Sequence, residues 1–145
     1  MTDHAPRADE TAKAATLLVV EDERDLVRLI KRRLELDGYN VLSAGSAESA
    51  LKLARKAAPA LILLDIALPA MDGLSFLRLF RQESQIPVIL VSGRCSDVDR
   101  IIGLKAGADD FISKPFSMSE LAARVECVLR RRPDPVVRKR RPSAG

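Results

Sequence analysis

Four short apolar runs in this chain end in residues that can do chemistry. Thr16-Leu-Leu-Val-Val20 is followed by Glu21-Asp22, Leu61-Ile-Leu-Leu64 by Asp65, Pro87-Val-Ile-Leu-Val91 by Ser92, and Phe111-Ile-Ser113 by Lys114-Pro115. Each residue alone has an ordinary reading. A polar residue after an apolar run is usually a loop or capping residue, so Asp22 would cap a helix and Ser92 a turn. Together they supply three carboxylates, one hydroxyl and one ammonium. Three carboxylates brought to one place repel one another, desolvation adds to the cost, and a cation must neutralise them. Acid and carbonyl oxygens without His or Cys point to Mg²⁺. Lys114 adds a second, fixed positive charge and Ser92 a donor. Metal, ammonium and hydroxyl around one carboxylate make a phosphoryl-binding site in which that carboxylate is the nucleophile. Phosphoryl transfer rests on such in-line positioning and charge neutralisation.

The residues between these runs say what positions them. Leu26, Leu29, Ile30 and Leu34 recur at spacings of 3 and 4 and predict a helix closed by Gly38. Tyr39 to Ser43 reads as a strand, Ser46 as the N-cap of a helix over 47–57, and Leu61 to Leu64 as a central strand apolar on both faces. Asp72-Gly73 opens a short helix bearing Leu74, Leu77 and Phe80. Ser96 to Ala106 forms another helix, closed by Gly107, and Ser117-x-x-Glu120 is a capping-box pattern before the last. Five strands alternating with five helices predict an α/β, doubly wound, five-stranded parallel sheet. In such sheets the ligand site lies at the carboxyl ends of the strands, beside a topological switch point. All four strand ends then share one edge.

Composition bounds the rest. The 145 residues are 47% hydrophobic and 30% charged, enough for one core and too apolar for wholesale disorder. Without Trp, and with one Tyr and four Phe, the chain is too poor in aromatics to offer platforms for base stacking. No apolar run approaches the ~20 residues of a membrane span, and residues 1–15 lack an apolar signal core. A cytoplasmic protein without membrane contact is expected. Two cysteines, Cys95 and Cys127, are too few for a disulfide framework, and one His cannot build a His-rich metal site. The net charge of +4 is unevenly spread. Residues 130–145 hold seven basic groups and one acid, and the remaining 129 residues carry −2. The expected organisation is a loose arm over 1–14, a domain over 15–131 and a basic, Pro-rich tail or linker over 132–145.

VVEDE (19–23), LLDIALPAMDG (63–73), VSG (91–93) and GADDFISKPF (107–116) together resemble the receiver domain of two-component response regulators, over about residues 15–131. Asp99-Arg100 through GADDFISKPF and Glu120-Leu-x-x-Arg124 resemble the OmpR/PhoB type in particular. The resemblance implies a flavodoxin-like (βα)5 receiver fold with Asp65 as phospho-acceptor. It implies that Asp22 ligates Mg²⁺ directly, Glu21 largely through water, and Ala67 through its carbonyl. It gives Lys114 the phosphoryl oxygens, with a cis bond to Pro115, and makes Ser92 a phosphoryl donor and Phe111 the aromatic switch partner. Two departures are mild: Ser92 stands where Thr is commoner, and Gly93 where Ala often stands. Arg94 is expected to reach the site mouth and tune hydrolysis, while Cys95 reads as an incidental small residue.

A haloacid-dehalogenase-type hydrolase also uses Asp, Ser, Lys and Mg²⁺, but places a second Asp two residues after the nucleophile. That position here is Ala67. Neither a GxGxxG nor a Walker pattern occurs. The receiver resemblance implies no turnover enzyme, but a chain that catalyses only its own phosphorylation and dephosphorylation. Its implied partners are a sensor histidine kinase or phosphotransfer protein, and a second copy on phosphorylation. By the resemblance, Arg100 pairs with Glu120, and Asp109 or Asp110 with Arg124 or Arg131, across a two-fold axis on the face of the fourth helix, fifth strand and fifth helix. A stand-alone or isolated receiver acting through protein contacts is the expected role. The alternative is the receiver part of a DNA-binding regulator whose effector domain is missing from these residues, with the basic tail as linker or weak nucleic-acid contact.

Overall fold

A computed structural model describes residues 15–68, 72–93 and 97–131, the side chains of 97–99 excepted. The arm over 1–14, the tail over 132–145, Arg94, Cys95 and Ser96 lie outside the described residues. Five strands alternate with five helices: β1 (Thr16–Val20), α1 (Arg24–Leu36), β2 (Asn40–Ala44), α2 (Ala47–Ala57), β3 (Leu61–Asp65), α3 (Gly73–Arg81), β4 (Val88–Ser92), α4 (Asp97–Lys105), β5 (Asp110–Ser113) and α5 (Met118–Arg131). All strand pairs are parallel, in the order β2-β1-β3-β4-β5. The chain leaves β1 toward β2 and returns to the other side of β1 as β3, so the switch point lies between β1 and β3. The predicted doubly wound sheet is the observed one.

Strand alternation divides the core in two. Leu18, Val20, Ile62, Leu64, Val88, Leu90 and Phe111 pack with α2 and α3. Leu17, Val19, Leu61, Leu63, Ile89, Val91 and Ile112 pack with α1 and α5. The four apolar residues of β3 are essentially inaccessible, each contributing about 1.5–3 kcal/mol of burial. This double layer covers β3 on both faces, and Asp65 stands at its end.

The helix signals worked locally. Ser46 Oγ accepts from Ser49 N at 3.2 Å and starts α2 at the predicted residue. Asp72 Oδ1 accepts from Ser75 N at 2.8 Å, and Ser117 Oγ from Glu120 N at 3.0 Å. After α1 the chain turns through Gly38 at φ 101°. Tyr39 N then donates back to Leu34 O, so Tyr39 belongs to the helix end and β2 starts one residue later than expected. The N-cap of α1 is Glu23, without a side-chain cap bond; Asp22 therefore does not serve as that cap. Among the described residues no helix is long and apolar enough to cross a membrane.

Candidate functional site

Parallel register carries the chemistry to one edge. Val20 stands opposite Leu64, Asp65 opposite Val91, and Ser92 opposite Ser113. Glu21, Asp65, Ser92 and Lys114 therefore end adjacent strands at one level. Ligand oxygens of Glu21, Asp22 and Asp65 lie within 4.8 Å of one another. Glu21 and Asp65 are buried, 5% and 4% exposed, while Asp22 faces solvent.

Lys114 spans the two buried acids. Its Nζ donates to Glu21 Oε1 at 3.1 Å and to Asp65 Oδ2 at 3.3 Å. The remaining oxygens are held by backbone: Glu21 Oε2 accepts from Glu23 N at 3.1 Å, and Asp65 Oδ1 from Ala67 N at 3.0 Å. The Lys114–Pro115 bond is cis, as expected, and Lys114 N donates to Ser92 O at 2.7 Å. Burial pushes the Glu21 carboxyl above its usual range, and the neighbouring Asp65 charge adds to this against the Glu23 N–H and Lys114. Burial also disfavours the Lys114 ammonium, but Glu21 and Asp65 outweigh it and raise its pKa.

The charges do not balance. Three carboxylates face one ammonium, leaving two negative charges when all are ionised. The donors are all oxygen, and Asp22 has no ion pair or hydrogen bond among the described residues. This donor set fits a hard divalent cation. Ser92 is buried beside the cluster at the end of β4.

One glycine fixes the approach to Asp65. A Cβ at Gly73 would lie 2.6 Å from the Asp65 carbonyl oxygen and 2.7 Å from Ile66 Cα. The N-terminus of α3 thus packs directly on the strand end, with Gly73 N donating to Ile66 O. In the sequence Asp72-Gly73 signals only a helix start; the close approach is a tertiary fact. Gly93 is not required by packing: a Cβ there would sit 4.0 Å from Lys114 Cβ, an ordinary contact, so the Ala common at this position would also fit.

Residues 17–126 match the family model of the response regulator receiver domain. The chain belongs to that family. As its motifs implied, it is a receiver domain of two-component signalling, of the OmpR/PhoB type. It is 44% identical over 115 residues to the transcriptional regulatory protein CpxR of Escherichia coli K12, covering 79% of this chain and 49% of that one. It is 40% identical over 114 residues to the uncharacterized transcriptional regulatory protein YcbL of Bacillus subtilis, covering 79% and 50%. The chain thus spans about half the length of the curated relatives it matches. Among solved structures, the receiver domain of the Francisella response regulator 1452 superposes with a TM-score of 0.78 at 35% identity, covering 81% of this chain and 98% of that one. The BeF3-activated N-terminal receiver domain of Klebsiella pneumoniae RstA gives 0.76 at 32%, covering 80% and 99%.

The receiver's outer face differs in part from expectation. Asp110, Glu120, Arg124 and Arg131 line one open groove of ≈610 Å³. One of the expected partnerships forms within the chain, Arg124 with Asp110 at 3.1 Å, and Arg124 also takes Glu120, the expected partner of Arg100, at 3.3 Å. Asp109 turns inward instead, accepting from Arg81 Nη2 at 3.1 Å and Val88 N at 2.9 Å. Arg81, a residue the sequence did not single out, also donates to the carbonyls of Gly107, Ser84 and Ile86. A lone Arg at a helix end carries no signal for this; only the loops folded around it do. Arg100 lies on exposed α4 with its guanidinium over the Phe111 ring, 5.6 Å from the centroid.

Proposed function

We propose that this receiver is a phosphorylation-controlled switch in which Asp65 accepts a phosphoryl group from a sensor histidine kinase or phosphotransfer protein. The observation that carries the reading is Lys114 spanning Glu21 and Asp65, with Asp22 alongside and two negative charges left over. Glu21, Asp22, Asp65 and the Ala67 carbonyl would hold Mg²⁺. When bound, the ion supplies charge neutralisation for the phosphoryl oxygens. An Asp65 carboxylate oxygen attacks phosphorus, the P–N bond of the donor phosphohistidine breaks, and its electron pair stays on the imidazole. Lys114 and Ser92 then bind phosphoryl oxygens. Movement of Ser92 toward them is coupled to the position of Phe111, which biases the face of α4, β5 and α5 between two packings. That face governs dimerisation or partner binding. The domain is no turnover enzyme, since the acceptor is its own side chain.

Acetyl phosphate with Mg²⁺ should add about 80 Da to the wild-type chain and nothing to Asp65→Asn. Modification of Asp65→Asn on another aspartate, or undiminished modification of wild type in EDTA, would refute the assignment. A second reading draws on the relatives named as transcriptional regulators, which are about twice as long as the matched region. On that reading these residues are the receiver part of a DNA-binding regulator. A coding sequence continuing past Gly145 into an effector domain would support it, and a native stop codon there would exclude it.

A further inference from the structure

Phe111 is 4% exposed, yet one side of its ring is covered by a side chain from the surface. Inside, the ring packs among core residues beneath α4. A Cβ at Gly103 would lie 2.6 Å from Leu90 Cδ1 and 3.7 Å from Phe111 Cδ2, so the helix sits as close as glycine permits. Outside, Arg100 is exposed and its guanidinium carbon stands 5.6 Å from the ring centroid. That lies within cation–π range. The backbone of the same residue is tied to surface charge: Phe111 N donates to Asp110 Oδ1 at 2.8 Å, and both Asp110 oxygens accept from Arg124 Nη1.

We propose that Arg100 is a positioning residue for Phe111, its guanidinium roofing the ring and holding it in the buried position. The coupling is reciprocal. A buried ring gives the guanidinium a platform that fixes it on the α4 surface beside exposed Ile101 and Leu104; a ring that swings out removes that platform. Arg100 thereby reports the state of Phe111 to the surface. The inference deepens the reading of Phe111 as switch residue, but the contact itself needs no phosphoryl group.

The test uses 4-fluorophenylalanine labelling of the full chain. Its four Phe residues, Phe76, Phe80, Phe111 and Phe116, give four ¹⁹F lines, and Phe111→Leu identifies the relevant one. The H₂O/D₂O isotope shift of that line reports ring exposure. In wild type without phosphoryl donor it should be small. Arg100→Met keeps the length and removes the charge. It should raise the population of exposed ring roughly two- to fivefold, the loss expected of one exposed cation–π contact, with a larger isotope shift on the Phe111 line. The lines of Phe76 and Phe80, stacked on each other on the buried face of α3, should stay in place. Arg100→Lys, which keeps the charge, should restore part of the effect. A Phe111 line unchanged in Arg100→Met, a Lys variant no better than Met, or movement of all four lines together would each overturn the proposal. No phosphoryl donor is present, so such a failure leaves the assignment of Asp65 standing, just as an unmodified Asp65 would leave the roof over Phe111.

Discussion

Replacing Asp22 by Asn should make the metal-free receiver more stable and remove most of its response to Mg²⁺. Oxygens of Asp22 lie within 4.8 Å of those of both Glu21 and Asp65. Two like charges at that distance repel by about 1 kcal/mol in water and about 3.5 kcal/mol at an effective dielectric constant of 20. Asp22 is exposed, so the aqueous end applies and solvent screening reduces it further. Two such repulsions act, and the Lys114 ammonium offsets about one of them. The net relief is at most about 1 kcal/mol, which is no more than roughly 3–5 °C in Tm for a domain of this size. Mg²⁺ at ten times its dissociation constant should add about 1.4 kcal/mol to wild type, and much less to the variant at the same concentration. Thermal unfolding followed by circular dichroism, in EDTA and in Mg²⁺ at pH 7, measures both effects. A variant that melts below wild type in EDTA, or equal Mg²⁺ stabilisation of both proteins, would refute the picture of three crowded carboxylates short of one divalent ion.

Two further outcomes follow from the same edge of the sheet. Gly73→Ala should destabilise the domain by about 1–3 kcal/mol in urea unfolding and slow phosphorylation by acetyl phosphate, because its Cβ meets backbone atoms of Asp65 and Ile66 that cannot rotate away; a stable and fully reactive variant would show that this approach is not needed. Asp72→Ala should cost about 1 kcal/mol at pH 7 through loss of the α3 N-cap. The Ser75 backbone N–H, helped by its hydroxyl, holds the Asp72 carboxyl below its ordinary value. The cap's contribution is therefore present above the unfolded-state pKa of about 4 and is lost as pH falls through the folded one, so wild type and variant should converge in stability below about pH 4.

The sequence by itself determined the parts with local causes. Side-chain period and capping residues specified five strands and five helices, and α2 begins where Ser46 caps it because a cap acts within three residues. Polar residues closing apolar strands marked Glu21, Asp22, Asp65, Ser92 and Lys114, since a parallel sheet brings its strand ends together whatever the intervening loops. Tertiary structure decided everything that depends on register and on which face a loop residue meets. Lys114 reaches Glu21 across 93 positions, a distance no periodicity encodes. Asp109 and Asp110 are adjacent and chemically identical, yet one turns in to Arg81 and the other out to Arg124. Glu21 and Asp22 divide likewise into buried and exposed. Arg81 carries no signal in the sequence and Arg100 reads there as a partner for Glu120 in a second copy, but the folded chain puts carbonyls around the first and an aromatic ring beneath the second. Sequence spacing names the groups that can meet, but the pairing energy of a charge depends on its burial and its neighbours, and those exist only once the sheet has closed its register.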